Sequence, residues 1–314
     1  MDLSSNNTRL MKILLVMNAF RPKIITCVVG TILLSGCISK VQTEKARANH
    51  FQSMIDEATV ALRVDPEDAY TLVNRGYAKT GIGDHQGALI DFTQAIALQP
   101  NFVSAHRGQC MAKGYLKDYQ GAFLACNQAI ALDPDYAAAY VDRGAVKSYL
   151  GNNQGALLDY NQALSLQPDF ARAYLHRGSV KDRLGDHQGA VTDLTQAIAL
   201  KSGYADAYRD RGIAKGRLGD FRGMIADYTQ AITLEPNHSY DYSERGYAKA
   251  QLGDLTGAVD DFSEALAFDP RNPTAYYQRG LAREKLGDSK GAKEDLALAQ
   301  KFNTLRSKVL ETIP

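Results

Sequence analysis

Little in this chain is spaced for chemistry. Its six histidines, His50, His85, His106, His176, His187 and His238, include no two that stand three to five residues apart, and neither HExxH nor CxxC occurs. The common zinc spacings are therefore missing. No GxxxxGKS/T loop is present to cradle a phosphate. Neither sign of charge dominates, with a formal net charge of +1, so there is no basic footprint for nucleic acid. Charged residues make up 23% and apolar residues 45%, which excludes a disordered chain. The apolar run Ile24–Leu34 is only eleven residues long, too short to span a bilayer as a stable helix. These absences point away from an enzyme, and no catalytic residue, metal or cofactor is expected.

What is present is a period. Proline stands at 66, 100, 134, 168, 236 and 270, each interval 34 residues or a multiple of it, with Ser202 in the one gap. A 34-residue period means stacked helical hairpins, each burying its apolar face against its neighbours. Numbering each unit from the third residue after its proline gives 69–102, 103–136, 137–170, 171–204, 205–238, 239–272 and 273–306. The fifteenth position is glycine except at Lys117, and the sixteenth is Asp, or Asn at Asn152. Glycine ends the first helix in the left-handed conformation, and the acid or amide caps the second. Lys117 predicts a strained or reshaped turn in the second unit.

Position 8 is glycine except at Cys110, position 20 is alanine except at Met224, and position 27 is alanine throughout. Position 24 is mostly large: Phe92, Cys126, Tyr160, Leu194, Tyr228, Phe262 and Leu296. Small residues let two helices approach where a large one fills the space between them. Arginine at position 7 and aspartate at position 23 occur together in six units: Arg75 with Asp91, Arg143 with Asp159, Arg177 with Asp193, Arg211 with Asp227, Arg245 with Asp261 and Arg279 with Asp295. Both are lost together at Gln109 and Ala125. That joint loss predicts structural pairs within each hairpin, suited to arginine's two-point fork. The basic residues of position 11, Lys79 to Arg283, read as long stems with their charge in water. Cys110 and Cys126 fit two buried thiols, and equally a disulfide in an exported chain.

The small–large–small pattern with its closing proline resembles the tetratricopeptide repeat family, from residue 69 to about 302. The resemblance implies an all-α fold, a right-handed α-solenoid of stacked antiparallel helix pairs. It also implies a concave groove lined by the first helix of each pair. Mapped onto this chain, the groove residues are Tyr70, Tyr77, Arg107, Tyr115, Tyr149, Arg172, Arg183, Arg209, Arg217, Tyr240, Tyr247 and Tyr277, with Val73, Val141 and Leu175 at position 5. Tyrosine and arginine are the composition of binding surfaces. The Lys and Asn clamp by which some members hold a C-terminal carboxylate is absent, so an extended or helical partner segment fits better.

The N-terminal segment has a separate reading. Arg21 and Lys23 precede the apolar run, which ends in Leu34-Ser35-Gly36-Cys37. Basic, apolar and small stretches in that order read as an export signal. The last four residues resemble the cleavage and lipidation site of bacterial lipoproteins. The resemblance implies a signal peptide over 1–36, an acylated Cys37 as the new N-terminus, and a chain lipid-anchored to a bacterial membrane on its extracytoplasmic side. Removing 1–36 leaves a net charge of about −2, too little for electrostatic membrane binding. The domains expected are 1–36, a tether and N-terminal capping helix over 37–68, the repeats over 69–306, and a tail over 307–314. Ala58, Ala61 and Leu62 give the capping helix its apolar spacing.

The function implied is a non-enzymatic scaffold or adaptor in the cell envelope, taking proteins or peptide segments in its groove and touching the bilayer through Cys37. No nucleic acid and no small-molecule substrate is expected. The alternative is a structural subunit of a membrane-associated assembly such as a pilus or secretion machine.

Overall fold

A computed structural model of the protein describes residues 26–311, and side chains from 45 to 304. Among the described residues there are fifteen α-helices and no strand. The first, α1 (Thr26–Val64), precedes seven hairpins. These are α2 (Ala69–Gly81) with α3 (His85–Leu98), α4 (Val103–Tyr115) with α5 (Tyr119–Leu132), α6 (Ala137–Tyr149) with α7 (Asn153–Leu166), and α8 (Ala171–Arg183) with α9 (His187–Leu200). The remaining three are α10 (Ala205–Arg217) with α11 (Phe221–Leu234), α12 (Ser239–Gln251) with α13 (Leu255–Phe268), and α14 (Pro273–Lys285) with α15 (Ser289–Glu311). The hairpins lie wholly within one compact unit that begins at Lys45.

The architecture is an all-α solenoid of stacked helix pairs, of the tetratricopeptide superhelix type. Each second helix packs on the first helix of the next unit, and first helices also touch the next first helix. The first helices therefore form the inner wall and the second helices the outer, convex one.

Two differences concern the ends. α1 begins at Thr26 rather than near Lys40, and runs helical through position 37. Residues 1–25 of the expected signal peptide lie outside the described residues, as does the side chain of Cys37. Among the described residues no helix is long and apolar enough to cross a membrane. At the other end, the segment expected as a tail from 307 is helical to Glu311. From residue 45 on, α1 covers the first hairpin: Leu62 is buried with Leu72 and Val73, and the Phe51 ring lies against Gly81. Ala61, in the apolar stripe by spacing, is exposed instead.

The turns follow from residue chemistry. Gly83 and its equivalents have φ between 80° and 89°, a region costly for a side chain. Lys117 adopts it too, at φ 64°, so the second turn keeps its shape and carries the strain. Asp84 then accepts from Gly87 N at 2.9 Å, and the same cap recurs in every unit. The helices of a hairpin meet through glycine at position 8: a Cβ on Gly76 would sit 2.7 Å from the Phe92 ring. Alanines at positions 20 and 27, such as Ala122 and Ala129, are fully buried.

The six aspartates of position 23 are buried and doubly held. Arg177 Nε and Nη2 donate to the two oxygens of Asp193 at 2.8 and 2.7 Å. The same fork joins Arg75–Asp91, Arg143–Asp159, Arg211–Asp227, Arg245–Asp261 and Arg279–Asp295. The position-11 residues are not free stems. Lys181 Nζ lies 2.8 Å from Asp193 Oδ2, and Lys79, Lys147, Lys215, Lys249 and Arg283 do the same in their units. A buried carboxylate draws in every cation within reach, because one left short of partners is costly. Each arginine's third nitrogen reaches back one unit, Arg177 Nη1 to Asn161 Oδ1 at 2.8 Å and Arg143 Nη1 to Asn127 Oδ1 at 2.9 Å. These groups tie neighbours together as well as the two helices of a hairpin.

The second unit is held differently. Gln109 retains only the backward bond, to Thr93 Oγ1 at 3.2 Å. Where the other units carry a glycine and a large residue, Cys110 and Cys126 are joined by a disulfide, with Cα atoms 5.3 Å apart. Of the two arrangements open from sequence, this is the covalent one. Both cysteines are buried among Ala122, Ala125 and Val146.

Candidate partner-binding groove

Twelve residues of the first helices are candidates for the inner wall, and they separate into two kinds. Tyr149 is 72% exposed, and Tyr70 and Tyr115 are more than half exposed. Tyr240, Tyr247 and Tyr277 are exposed over a third to a half of their surface. Tyr77 is different. Its hydroxyl donates to the Ser104 carbonyl at 2.8 Å and its ring meets Phe92 edge-on, so it braces the first unit against the second. Burial pushes its pKa up to about 12. Val73, Val141 and Leu175, at position 5, are core residues and do not line the groove.

The arginines are engaged within the protein. Arg107 Nε donates to Asp142 Oδ2 at 2.7 Å, and Arg172 Nη2 donates to Asp142 Oδ1 at 2.8 Å. One carboxylate of the third unit thus bridges the second and fourth. Arg209 is buried, held by Asp241 at 2.9 Å, Asp206 at 2.8 Å and Glu235 at 2.5 Å. Arg183 Nη2 donates to Ser148 Oγ at 2.6 Å, and Arg217 pairs with Asp182, which His187 Nδ1 also meets at 2.7 Å. Asp142, Asp182 and Asp241 went unread in the sequence because Asp182 and Asp241 recur in no other unit and Asp142 only as Asp210. Only the arginines, one unit away on either side, hint at them.

The exposed tyrosines are braced across units. Tyr115 stacks on His85 with ring centroids 4.3 Å apart, and Tyr149 stacks on Tyr119 at 5.2 Å. Between them is a hollow of about 440 Å³, lined by Met111, Tyr115, Tyr119, Asp142, Tyr149, Arg172 and His176, with Cys110 of the disulfide at its edge. Burial, with Arg172 next, pushes the His176 pKa down to about 4, so the imidazole is neutral near pH 7. Its ring stacks on Tyr160. The hollow has aromatic walls, a neutral histidine, the Asp142–Arg172 pair and Lys117, and stands open to solvent. A second hollow of about 480 Å³ lies at the last hairpin beside Tyr277, Leu296 and Asn303. Among the described residues, no group of three or more His, Cys, Asp and Glu could hold a metal ion.

Stacked hairpins with an open, aromatic inner wall define a helical-repeat scaffold. The tetratricopeptide reading is supported by two family models. One, "TPR repeat", matches residues 149–185 and 246–287, and the other, "Tetratricopeptide repeat", matches 171–204 and 273–303. Among solved structures, a chain of the APC/C hetero-tetramer Cut9-Hcn1 superposes with a TM-score of 0.68 at 18% identity. That match covers 75% of this chain and 46% of the other, so this chain spans less than half the length of its relative. A tetratricopeptide repeat protein from Parabacteroides merdae gives 0.54 at 19% identity, covering 85% of this chain and 99% of that one. PilW, described as a widely conserved type IV pilus biogenesis factor, gives 0.58 at 22% identity, covering 63% and 92%. At these identities the likeness concerns the fold. No curated protein matches the chain in sequence.

Proposed function

We propose that the protein is a non-enzymatic adaptor, tethered to a bacterial membrane through an acylated Cys37, that holds a segment of another protein in its groove. The observation that carries the binding role is the aromatic hollow at Tyr115 and Tyr149. Its large exposed rings are held rigid by stacking, which lowers the entropy lost on binding. Those tyrosines and Met111 are the contact surface; Arg107, Arg172, Arg183, Arg209 and Arg217 set the groove's shape and its local charge. An apolar or aromatic partner side chain would enter the hollow, with main-chain polar groups facing Asp142 and Arg172. Tyr70, Tyr240, Tyr247 and Tyr277 would extend the contact along the inner wall, with Tyr77 supporting from beneath.

The tether rests on Leu34-Ser35-Gly36-Cys37 at the end of the apolar run. Cys37→Ser should abolish acyl labelling; unchanged labelling and processing would end that part of the proposal. The groove is tested separately, by a photo-crosslinker at Tyr149 in the intact envelope. A partner captured there, and lost with Tyr115→Ala, supports the adaptor. Recovery instead of one fixed-ratio assembly, indifferent to Tyr115→Ala, would favour the structural-subunit alternative.

A further inference from the structure

On the first helices, position 6 of the third to sixth units reads Asp142, His176, Asp210 and Glu244. The three carboxylates are not equally served. Asp142 is held by Arg107 from position 5 of the unit before and by Arg172 from position 2 of the unit after. Glu244 has Arg209 and Thr274 at those two places. Arg209 is already bound to Asp241, Asp206 and Glu235, and threonine carries no charge. Asp210 has Leu175 and Tyr240 there, and accepts from the Ser179 hydroxyl at position 9 of the unit before. The matching place beside Glu244 is Ile213, which packs with Met224, Tyr228 and Ala248. Among the described residues, no cation forms an ion pair with Asp210 or Glu244. Both are half-buried, and burial pushes each carboxyl pKa upward, with Asp241 adding to the effect at Glu244. The contrast is with the six aspartates of position 23, each of which gathers two cations.

A second observation falls at the same place. Tyr228, on α11, is fully buried, and its hydroxyl has no hydrogen-bond partner among the described residues. Its ring meets Tyr240 edge-on with centroids 6.3 Å apart, and Tyr240 and Glu244 are the nearby groups that, after burial, push its pKa up. A buried hydroxyl and a half-buried carboxylate that both lack partners are each costly to keep.

We propose that Asp210 and Glu244, with Tyr228 and Tyr240, hold basic side chains of the bound segment, arginine above all; this rests on the reading of the inner wall as a partner groove. A guanidinium fits each deficit. Its fork meets a carboxylate at two points, its remaining N–H groups can be accepted by the Tyr228 oxygen, and its plane lies on the half-exposed Tyr240 ring. Adjacent first helices stand about 10 Å apart. Residues i and i+3 of a polyproline-II segment share a face about 9 Å apart, so two arginines three residues apart reach both acids. The acids lie two to three units beyond Tyr149, roughly six to ten extended residues along the same wall. The segment thus carries an apolar or aromatic side chain for the hollow and, further on, an Arg-x-x-Arg pair.

Nuclear magnetic resonance titration of the full chain in mild detergent tests this with the peptide Gly-Arg-Pro-Pro-Arg-Gly. Shifts should centre on α10 and α12 and weaken as salt rises. Glu244→Gln should cut affinity about tenfold, the value of one charge-assisted bond, and Asp210→Asn should cut it less. Asp260→Asn, on the outer wall, and Tyr115→Ala, in the hollow, should leave it unchanged. Glu244→Gln should also hold or raise the melting temperature, because it removes an unpaired charge. No binding, equal binding of the peptide with citrulline for arginine, or full affinity in Glu244→Gln would overturn the proposal, as would a lowered melting temperature in that variant, which makes the acid structural. Failure of the peptide while a partner still crosslinks at Tyr149 overturns this inference and leaves the hollow reading standing. Peptide binding with nothing captured at Tyr149 supports the basic site and overturns the hollow.

Discussion

Asp193 shows what a single residue of the array does. Its carboxylate is 4% exposed and takes Arg177 at two points and Lys181 at a third. Asp193→Ala should lower stability by about 3 kcal/mol, because two cations are left in a site built for a neutralised group. Arg177→Ala should cost less, since Lys181 remains. The double change should cost less than the sum of the two, with a coupling of about 1 kcal/mol or more, read from urea unfolding midpoints. His176 gives a second test. Its pKa falls from 6.5 to about 4 through burial, so below pH 6.5 the unfolded chain takes up a proton that the folded chain refuses. Its contribution to stability is whole above pH 6.5 and declines as pH falls toward 4. His176→Phe keeps the ring stacked on Tyr160 and should flatten the melting temperature against pH over that window.

At the scale of the hairpin, the second unit is the exception, with a strained turn, no Arg–Asp pair and a covalent link in their place. Lys117→Gly should raise the melting temperature, worth about 1 kcal/mol, since glycine takes a positive φ without the side-chain clash. Reduction should cost up to about 3 kcal/mol, the nominal value for a loop this short. Hydrogen exchange should place the loss in α4 and α5, with α8 and α9 nearly unmoved. Uniform loosening of all hairpins would contradict that. The hairpins themselves were legible because every signal that makes one recurs at 34 residues. The cap at position 16 says so in all seven units, glycine at position 15 in six, and the alternation of small and large in most of them. One constant was passed over: position 19 is glycine in all seven units, because a Cβ there would crowd the capping side chain, 2.1 Å from Asp84 Oδ2 in the first. The lysines of position 11 were misread because a basic residue looks the same in sequence whether water or a buried carboxylate takes its charge. The groove arginines were misread for the converse reason. Of their partners, Asp182 and Asp241 each stand alone at their position in the repeat and Asp142 is matched only by Asp210, so no seven-fold period announces them.

For the molecule as a whole, repeated and unrepeated contacts have different reach. Arg143 meets Asn127 across one junction, and Arg177 meets Asn161 across the next, the same donor on the same acceptor. Excising 137–170 would bring Arg177 to Asn127 and so re-form this bond at the new seam. The shortened protein should fold, keep its helicity per residue by circular dichroism, and melt cooperatively. It would also lose Asp142 and Tyr149, and with them the bridge between Arg107 and Arg172 and one wall of the hollow. The number of links in such a chain is thus free to drift over generations by whole units, while its address is written only in the few letters that never repeat.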